Sequence, residues 1–378
     1  MRISFDKQRL AAVVGTVEKA VSARSTLPIL ECIYIEAEEG RRDTARVIAN
    51  DLQLAIEAPA VACEASRAGC VSIPARLFSE IIRKMPEGTL TITADERNVV
   101  NIKSGKTEFK ILGLPGIDFP YPVKVEKAEP YRIGCADFKD MIRRTIFAAA
   151  AEDTRQVMTG ELLRIEGRRF SLAALDGFRI AVANAEAEGD LSARSAVIPA
   201  KTLSELAKIL PAEKDRQLEF YFSESYALFE IDDYKIVTRL LDGDFVNFEN
   251  IFAAEPETVI FIDRQRLQGA VERAMLISTE NKKNPVKFNV RPEGLTVSSN
   301  SEAGTVSDEI PVEFEGKELE ISFNPRYIDD VLKVMTDETV KFQFTTPLSP
   351  VIVKADARGE EGAAEKYRFL TLPLRVKN

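Results

Sequence analysis

A threefold internal repeat constrains this chain more than any other feature of its sequence. Three segments share the end of an apolar strand, a proline at or beside a helix start, a basic residue and apolar residues at helical spacing. The segments lie at 72–82, 197–207 and 322–332, so 125 residues separate each segment from the next. Self-similarity at a fixed period is typical of tandem structural units. We therefore predict three similar domains in a row.

Other residues keep the same spacing. Asp51 and Asp176 also lie 125 positions apart. Each domain opens with an apolar strand residue seven positions before an apolar helix residue, in the pairs Ile3 and Leu10, Tyr131 and Phe138, and Ile260 and Leu267. Linkers rich in Pro and Glu then predict domain boundaries at 1–125, 128–252 and 256–378.

Each domain is predicted to run strand, helix, strands, helix, strands. In the first domain, helices are predicted over about 7–23 and 75–85, and Pro74 and Pro86 suit the start and end of the second helix. In the remaining segments, apolar and polar residues alternate, as they do in half-buried strands. The predicted fold class is therefore α+β, with two helices packed on antiparallel sheet in each of three domains.

The composition provides few residues that could act in catalysis. Histidine is absent, which removes the commonest general base and transition-metal ligand. The four cysteines, Cys32, Cys63, Cys70 and Cys135, lack metal-binding spacing and are interpreted as reduced, buried thiols. No nucleotide-binding, nucleophile-elbow or zinc-protease motif occurs, and residues 103–106 are interpreted as a hairpin turn. We expect neither enzyme activity, nor a cofactor, nor a metal.

The charge is distributed unevenly. The whole chain carries a net charge of −9, whereas six predicted helical windows contain 17 Lys and Arg against 8 Asp and Glu. Basic helices in an acidic protein direct a polyanion to one surface and repel it elsewhere. Lys and Arg are also ordinary residues of exposed helix faces, so this pattern alone leaves both interpretations open. The basic position repeats in all three domains, as Arg76, Lys201 and Arg326, which favours the polyanion surface.

Several local sequences resemble those of one known family, the bacterial DNA polymerase III beta subunits or sliding clamps. The resemblance covers the whole chain and is carried by the segments that begin at Arg24, Ile73, Leu175, Leu240 and Leu372. It implies a head-to-tail homodimer that forms a ring of six domains around duplex DNA. It also implies a processivity factor with twelve helices lining the hole and sheets outside.

The resemblance and the charge pattern together give candidate DNA-facing residues. A sliding protein should contact phosphates rather than read bases. The resemblance implies Arg24 and Lys201, and the charge pattern adds Arg76, Arg143, Arg144, Arg273, Lys282 and Lys283. Lys282 and Lys283 also fit an ordinary polar loop. For the dimer interface, the resemblance implies Phe109 and Ile111 in the first domain and Leu276 and Ile277 in the third. The apolar pattern alone places these four residues in a core.

The resemblance further implies a pocket that binds partner peptides between the second and third domains. The matching positions are Arg155, Met158, Leu175, Gly177, Phe178, Arg179, Ile180, Val246, Asn250, Ile251, Asn324, Tyr327, Leu348, Leu370, Leu372, Pro373, Leu374 and Arg375. Without the resemblance, Ile180, Ile251 and Leu372 would be interpreted as core residues. Phe178 and Val246 depart from residues common in the family in a way that keeps the wall of the pocket apolar but changes its shape, and Asn250 stands where the family often has a basic residue.

The implied partners are double-stranded DNA without sequence preference, a second copy of the chain, the polymerase III alpha subunit, the clamp loader and other clamp-motif proteins. No membrane partner is expected, because no apolar run approaches the length of a span. The expected location is the cytoplasm, in association with the nucleoid. Two alternatives remain, namely a peptide-binding repeat scaffold without DNA and, with less support, a hydrolase or transferase.

Overall fold

The computed structural model describes residues 1–41, 43–213, 215–277, 285–358 and 365–374. Six α-helices lie within these ranges, and their positions follow the threefold repeat. They are α1 (Lys7–Val17), α2 (Ala75–Lys84), α3 (Cys135–Thr145), α4 (Ala200–Ile209), α5 (Arg264–Ile277) and α6 (Pro325–Val334).

The strands outnumber the helices in every third of the chain. The first third contains β1 (Arg2–Asp6), β2 (Cys32–Ala37), β3 (Thr44–Asn50), β4 (Leu54–Glu57), β5 (Val61–Ala62), β6 (Glu64–Arg67), β7 (Gly69–Pro74), β8 (Thr89–Ala94), β9 (Val99–Ser104), β10 (Thr107–Leu112) and β11 (Leu114–Pro115). The middle third contains β12 (Tyr131–Gly134), β13 (Gly160–Leu175), β14 (Arg179–Pro199), β15 (Gln217–Phe222), β16 (Tyr226–Ile231) and β17 (Tyr234–Arg239). The last third contains β18 (Thr258–Asp263), β19 (Val286–Arg291), β20 (Gly294–Ser301), β21 (Gly304–Ile310), β22 (Glu313–Gly316), β23 (Leu319–Phe323), β24 (Thr339–Phe344), β25 (Val351–Ala355) and β26 (Tyr367–Thr371).

The predicted repeat appears as strand–helix junctions at matching positions. Strands β1, β12 and β18 run directly into α1, α3 and α5. The six residues predicted to open the domains all lie in the core, with Tyr131 the most exposed at 9 %. Strands β7 and β14 end at Pro74 and Pro199, and α6 begins with Pro325. A proline at these points costs little because the first helical N–H groups have no partner within the helix.

Contacts between residues divide the described chain into two units, and each unit holds two sheets. The first unit comprises Met1–Ala136 and Lys208–Leu240. Its larger sheet runs β11-β7-β2-β3-β4-β17-β16-β15-β12, with β5 paired to β3, and its smaller sheet runs β10-β9-β8-β1-β6. Residues 54–57 of β4 pair with residues 235–238 of β17, which makes the larger sheet continuous across two repeats.

The second unit comprises Asp137–Ala207 and Leu241–Asn378. One sheet runs β13-β14-β26-β25-β24-β18-β22, and the other runs β21-β20-β19-β23. Residues 179–183 of β14 pair with residues 367–371 of β26. Every strand pairing among the described residues of both units is antiparallel.

Three sequence predictions about local structure need correction. The first helix ends at Val17 and gives way to a 3-10 turn at Glu18–Ala20, because Val21 is extended and its N–H donates to Glu18 O. Strand β6 was not predicted, since its charged residues do not alternate with apolar ones. Cys63 and Cys70 are only partly buried, although Cys32 and Cys135 are buried as expected. Residues 103–106 do form a hairpin turn between β9 and β10, where Gly105 has φ of +57°.

Candidate functional site

A compact apolar cluster lies in the second unit, where β13 and β14 pack with the turn Glu249–Ala253 and the last strand. Four residues predicted for the pocket, Met158, Leu175, Ile180 and Leu370, are buried members of this cluster. The other members are Val157, Leu162, Ala173, Val182, Val197, Phe248, Phe252 and Ile352. The apolar pattern therefore placed Ile180 correctly in a core.

Five other predicted pocket residues expose large apolar side chains on segments that adjoin this cluster. They are between 36 % and 70 % exposed, and we call them the apolar surface: Phe178, Val246, Ile251, Leu348 and Leu372. Exposed apolar side chains of this size indicate an interaction site where they adjoin one another, as Phe178 adjoins Tyr327 and Leu372. Ile251 and Leu372 are therefore not core residues, which corrects the interpretation of the apolar pattern alone.

The turn that carries Phe178 is built by Asp176. The Asp176 carboxylate accepts hydrogen bonds from the backbone N–H groups of Phe178 and Arg179, at 2.9 and 3.0 Å. Gly177 lies between Asp176 and Phe178 with φ of +86°, a backbone conformation that favours glycine. This local hydrogen bonding turns β13 into β14 and places the Phe178 side chain, which is 56 % exposed, in solvent.

Arg179 lies beside Phe178 and is held by ion pairs. Its Nε donates to Asp176 Oδ2 at 2.9 Å, and its Nη1 donates to Asp330 Oδ2 at 2.5 Å. The guanidinium also lies over the rings of Tyr327 and Phe147, at 4.6 and 5.2 Å from the ring centroids. Such paired and stacked contacts restrict an arginine to one conformation. Arg179 therefore stabilises the site rather than offering an unpaired charge.

Helix α6 supplies two further predicted pocket residues. The Asn324 side chain accepts from the N–H of Arg326 at 3.1 Å and so begins the helix. Tyr327 stacks on Phe178 with the ring centroids 6.3 Å apart and an interplanar angle of 29°. The two aromatic rings thus form a continuous surface between the β13–β14 turn and α6.

The residues after β26 continue along the same turn. The N–H of Leu372 donates to Phe178 O at 2.8 Å, and the N–H of Leu374 donates to Ser322 O at 2.7 Å. These two bonds fix Leu372 next to Phe178, with Pro373 and Leu374 half-buried beyond it. Arg375, the last predicted pocket residue, lies outside the described residues.

The remaining pocket residues are polar and lie at the edge of the apolar surface. Arg155 is largely exposed, and its Nε lies 3.7 Å from Asp153 Oδ1. Asn250 is exposed on the turn Glu249–Ala253, between the buried rings of Phe248 and Phe252. An apolar centre with a polar rim is the usual composition of a protein–protein interface.

Most of the candidate DNA-facing residues are exposed, but they differ in their partners. Arg24 lies in an irregular segment and forms no ion pair with any described residue, and Lys201 is exposed on α4. Arg76 lies 3.7 Å from Glu80, and Arg143 lies 2.7 Å from Asp140. Arg273 forms two bonds to Asp308, at 2.9 and 3.0 Å, and its side chain remains 54 % exposed. Lys282 and Lys283 lie outside the described residues.

Arg144 does not offer an accessible charge, which corrects its prediction as a DNA-facing residue. It is 7 % exposed, and its Nε donates to Asp140 at 2.5 Å. Its two other guanidinium nitrogens donate to Val334 O and Thr336 Oγ1, each at 3.3 Å. The guanidinium also lies 4.1 Å from the ring centroid of Tyr367. Arg144 therefore contributes to packing within the second unit.

The residues predicted for the dimer interface lie at the margins of their units. Phe109 and Ile111 are on β10, an edge strand whose residues are exposed or half-buried. Leu276 and Ile277 end helix α5, and Leu276 is 81 % exposed. None of these four residues lies in a buried core, contrary to what the apolar pattern alone suggests.

Three family models match successive parts of the chain. They describe the N-terminal domain (residues 1–123), the central domain (residues 132–247) and the C-terminal domain (residues 249–362) of the DNA polymerase III beta subunit. The chain belongs to the DNA polymerase III beta subunit family. Its predicted fold class, three tandem α+β clamp domains with antiparallel sheets, is thereby confirmed.

Individual relatives agree with the family assignment along nearly the whole chain. The beta sliding clamp of Bacillus subtilis is 32 % identical over 365 residues, which cover 94 % of this chain and 96 % of the relative. A putative DNA polymerase III beta subunit from Eubacterium rectale has a TM-score of 0.93 at 32 % identity, with 99 % of each chain covered. The Bacillus subtilis sliding clamp structure has a TM-score of 0.92 at 31 % identity and covers all of both chains.

Within the described ranges, no group of three or more His, Cys, Asp and Glu side chains is arranged to hold a metal ion. No helix in the same ranges is both long and apolar enough to cross a membrane. Asp330 and Phe147 hold Arg179 in place but were not among the predicted site residues. In the sequence, Asp330 belongs to the acidic pair Asp329-Asp330, which is typical of a solvated helix face, and Phe147 shows only apolar character.

Proposed function

We propose that this chain works as a sliding clamp that holds its partners through the apolar surface. As a member of the beta subunit family it is a non-catalytic processivity subunit of DNA polymerase III. Two copies close head to tail into a ring around duplex DNA and tether the polymerase to its template. The single observation that carries the partner site is the set of exposed apolar side chains beside the buried cluster.

The apolar surface suits a short peptide with apolar anchors. The Phe178 and Tyr327 rings form one wall, and Leu372 lies beside Phe178 through its backbone hydrogen bond. The buried cluster gives this surface a firm base, so binding orders few protein side chains. The residues that contribute most of the binding energy at an interface are typically rigid aromatic or aliphatic side chains that pack on a surface without water. The expected partners are the polymerase III alpha subunit, the clamp loader and other clamp-motif proteins.

A repeated cation supports a DNA-facing surface. Arg76, Lys201 and Arg326 are each the second residue of a helix, in α2, α4 and α6, and each is exposed. The positive end of the helix dipole disfavours a cation at this position, although Glu80 partly offsets this at Arg76 through an ion pair of 3.7 Å on the same helix. We propose that Arg24, Arg76, Arg143, Lys201 and Arg273 face DNA phosphates, and that Lys282 and Lys283 do so as well.

The exposed edge strand supports ring closure. An edge strand has unpaired backbone N–H and C=O groups that can pair with another chain. Strand β10 is such an edge and carries Phe109 and Ile111, with Leu112 next to them at 68 % exposed. We propose that this edge meets Leu276 and Ile277 of a second copy. A contact between two different surfaces closes into a ring when the rotation permits.

We further propose the domain boundaries and the location of the protein. The three domains span 1–125, 128–252 and 256–378, and the segments 119–130 and 254–257 contain neither helix nor strand. A protein that encircles DNA would associate with the nucleoid in the cytoplasm.

Substitution of Phe178 tests the partner site. We expect Phe178→Ala to raise the Kd for the isolated polymerase III alpha subunit about tenfold or more, as loss of an aromatic residue at the centre of an interface does. Leu52→Ala is the matched control, because Leu52 is 48 % exposed on the equivalent turn, which Asp51 builds in the first unit. Equal affinity of Phe178→Ala and the wild-type protein would show that the partner site lies elsewhere.

A further inference from the structure

The turn Glu249–Ala253 carries Asn250 and Ile251 of the partner site, and two arginines hold its first residue. Arg368 Nη2 donates to Glu249 Oε2 in a short hydrogen bond, and Arg164 Nη1 donates to Glu249 Oε1 at 3.5 Å. Each carboxylate oxygen of Glu249 therefore has its own guanidinium partner. Charge-assisted bonds to both oxygens of a carboxylate fix its orientation as well as its position.

Arg368 contacts the same turn a second time. Its guanidinium lies 4.3 Å from the ring centroid of Phe252, and its side chain is 15 % exposed. Arg368 itself is held on β26, whose backbone pairs with β14 on one side and β25 on the other. A cation stacked on an aromatic ring in a largely dry site gains more than an exposed one. Arg368 thus connects the sheet to both ends of the turn.

Because of these contacts, some residues of the turn are fixed against the protein and others are exposed to solvent. Phe248 and Phe252 are buried in the apolar cluster, and Glu249 is held by the arginines. Ile251 is 40 % exposed, although its N–H donates to Phe248 O at 3.0 Å, and Asn250 is exposed. The two residues that face solvent are therefore those that the partner site requires.

We propose that Arg368 is a positioning residue of the partner site. By binding Glu249 and stacking on Phe252, it fixes the turn in the conformation that presents Ile251 to a partner peptide. Arg368 touches no partner itself and acts only through the turn. This inference rests on the proposed function of the apolar surface.

A double-mutant cycle with Ile251 tests this role. The probe is the isolated polymerase III alpha subunit, titrated against the full-length chain. We expect Arg368→Gln to raise the Kd about fivefold, because a turn that is no longer fixed in advance must be ordered when the partner binds. In the Ile251→Ala background, Arg368→Gln should change the Kd less than twofold, because the residue it positions is absent; coupled residues behave in this way. A residue that only stabilises the fold would add its effect in either background.

A second arginine with the same chemistry serves as the control. Arg358 also binds two acidic residues, Asp356 and Glu313, and lies 3.6 Å from the ring centroid of Phe261, but it contacts no residue of the turn. Arg358→Gln should leave the Kd unchanged. Glu249→Gln removes the ion pair from the turn side, at a side chain that is 43 % exposed, and should reproduce the fivefold loss if Arg368→Gln fails to fold.

The outcomes separate the two proposals. Additive effects of Arg368→Gln and Ile251→Ala, or wild-type affinity for both Arg368→Gln and Glu249→Gln, would overturn the positioning role alone. Wild-type affinity for Ile251→Ala together with Phe178→Ala would overturn the proposed partner site, and the positioning role with it.

Discussion

Arg179 donates to Asp330 at 2.5 Å while its guanidinium lies 4.6 Å from the ring centroid of Tyr327. The same arginine binds Asp176, the residue that builds the turn. The β13–β14 turn and helix α6 are thereby joined through one largely buried side chain. Arg179 therefore also fixes the position of the exposed Phe178 ring, because the two residues are neighbours in the turn.

Asp330→Asn should weaken both the fold and the partner site. The substitution keeps the shape of the side chain but removes its charge, which leaves Arg179 with Asp176 as its only carboxylate among the described residues. We expect the free energy of unfolding to fall by about 1–2 kcal/mol, the range of a hydrogen bond to a charged group, as measured by urea denaturation. Glu80→Gln is the control, because its ion pair with Arg76 is exposed and 3.7 Å long. A stability loss as large in Glu80→Gln would argue that ion pairing in general, and not the Arg179 contact, accounts for the effect.

Glu161 should make the stability of the protein depend on pH. Burial raises its pKa to about 8, against a smaller opposing effect of the hydrogen bond from Thr145. The folded protein therefore retains a proton that the unfolded chain releases above about pH 4.5. This contribution to stability is complete below that pH, declines as the pH rises towards 8, and is lost above it.

Glu161→Gln removes this titration while leaving a side chain that can accept from Thr145. We expect the variant to lose less stability than the wild-type protein between pH 6 and pH 8.5, by an amount on the order of a few kcal/mol. Urea denaturation at the two pH values measures the difference. Parallel pH profiles for the two proteins would show that Glu161 is not protonated in the fold.

Arg24 and Arg144 should respond oppositely to substitution. Arg24 is exposed without an ion pair to any described residue, so Arg24→Gln should leave the unfolding midpoint unchanged and lower the salt dependence of binding to linear duplex DNA by about one unit of slope. Arg144 is buried against Asp140 and Tyr367, so Arg144→Gln should lower stability without changing that slope. An unchanged salt slope for Arg24→Gln would place Arg24 away from DNA.

The repeat made much of the fold predictable. The 125-residue spacing located the strand–helix junctions, because a proline, a small apolar strand end and an apolar helix stripe are all local features. Periodicity also placed β25 at its observed bounds. The first helix was predicted too long, since Val21 keeps the helical spacing but lies in extended backbone after the 3-10 turn.

The functional residues were harder to predict, because their roles depend on distant contacts. In the sequence, Arg144 resembles an exposed helical cation. In the structure it is buried by residues about 190 or more positions later in the chain, namely Val334, Thr336 and Tyr367. Ile251 and Leu372 fit an apolar core pattern but lie exposed. Only the resemblance indicated that such residues form a surface, and neither pattern nor resemblance indicated Arg368.

Leu276→Ala with Ile277→Ala should weaken the dimer. Leu276 is 81 % exposed at the end of α5, and apolar area of this kind is what a closed interface would bury. We expect the double variant to dissociate to a monomer at low micromolar concentration, as measured by native mass. Leu77→Ala is the control, since Leu77 is 46 % exposed on α2 and lies outside the proposed interface. If the double variant forms a dimer as stable as that of the wild-type protein, the interface lies elsewhere.

Retention on DNA tests the central claim most directly. The clamp is loaded onto nicked circular DNA by its clamp loader, and the bound fraction is followed by gel filtration before and after the circle is cut once. A ring held on DNA by its topology should stay on the intact circle in high salt and leave the DNA after linearisation. Equal retention on circular and linear DNA would contradict encirclement and would favour a protein that binds DNA only through its surface charge.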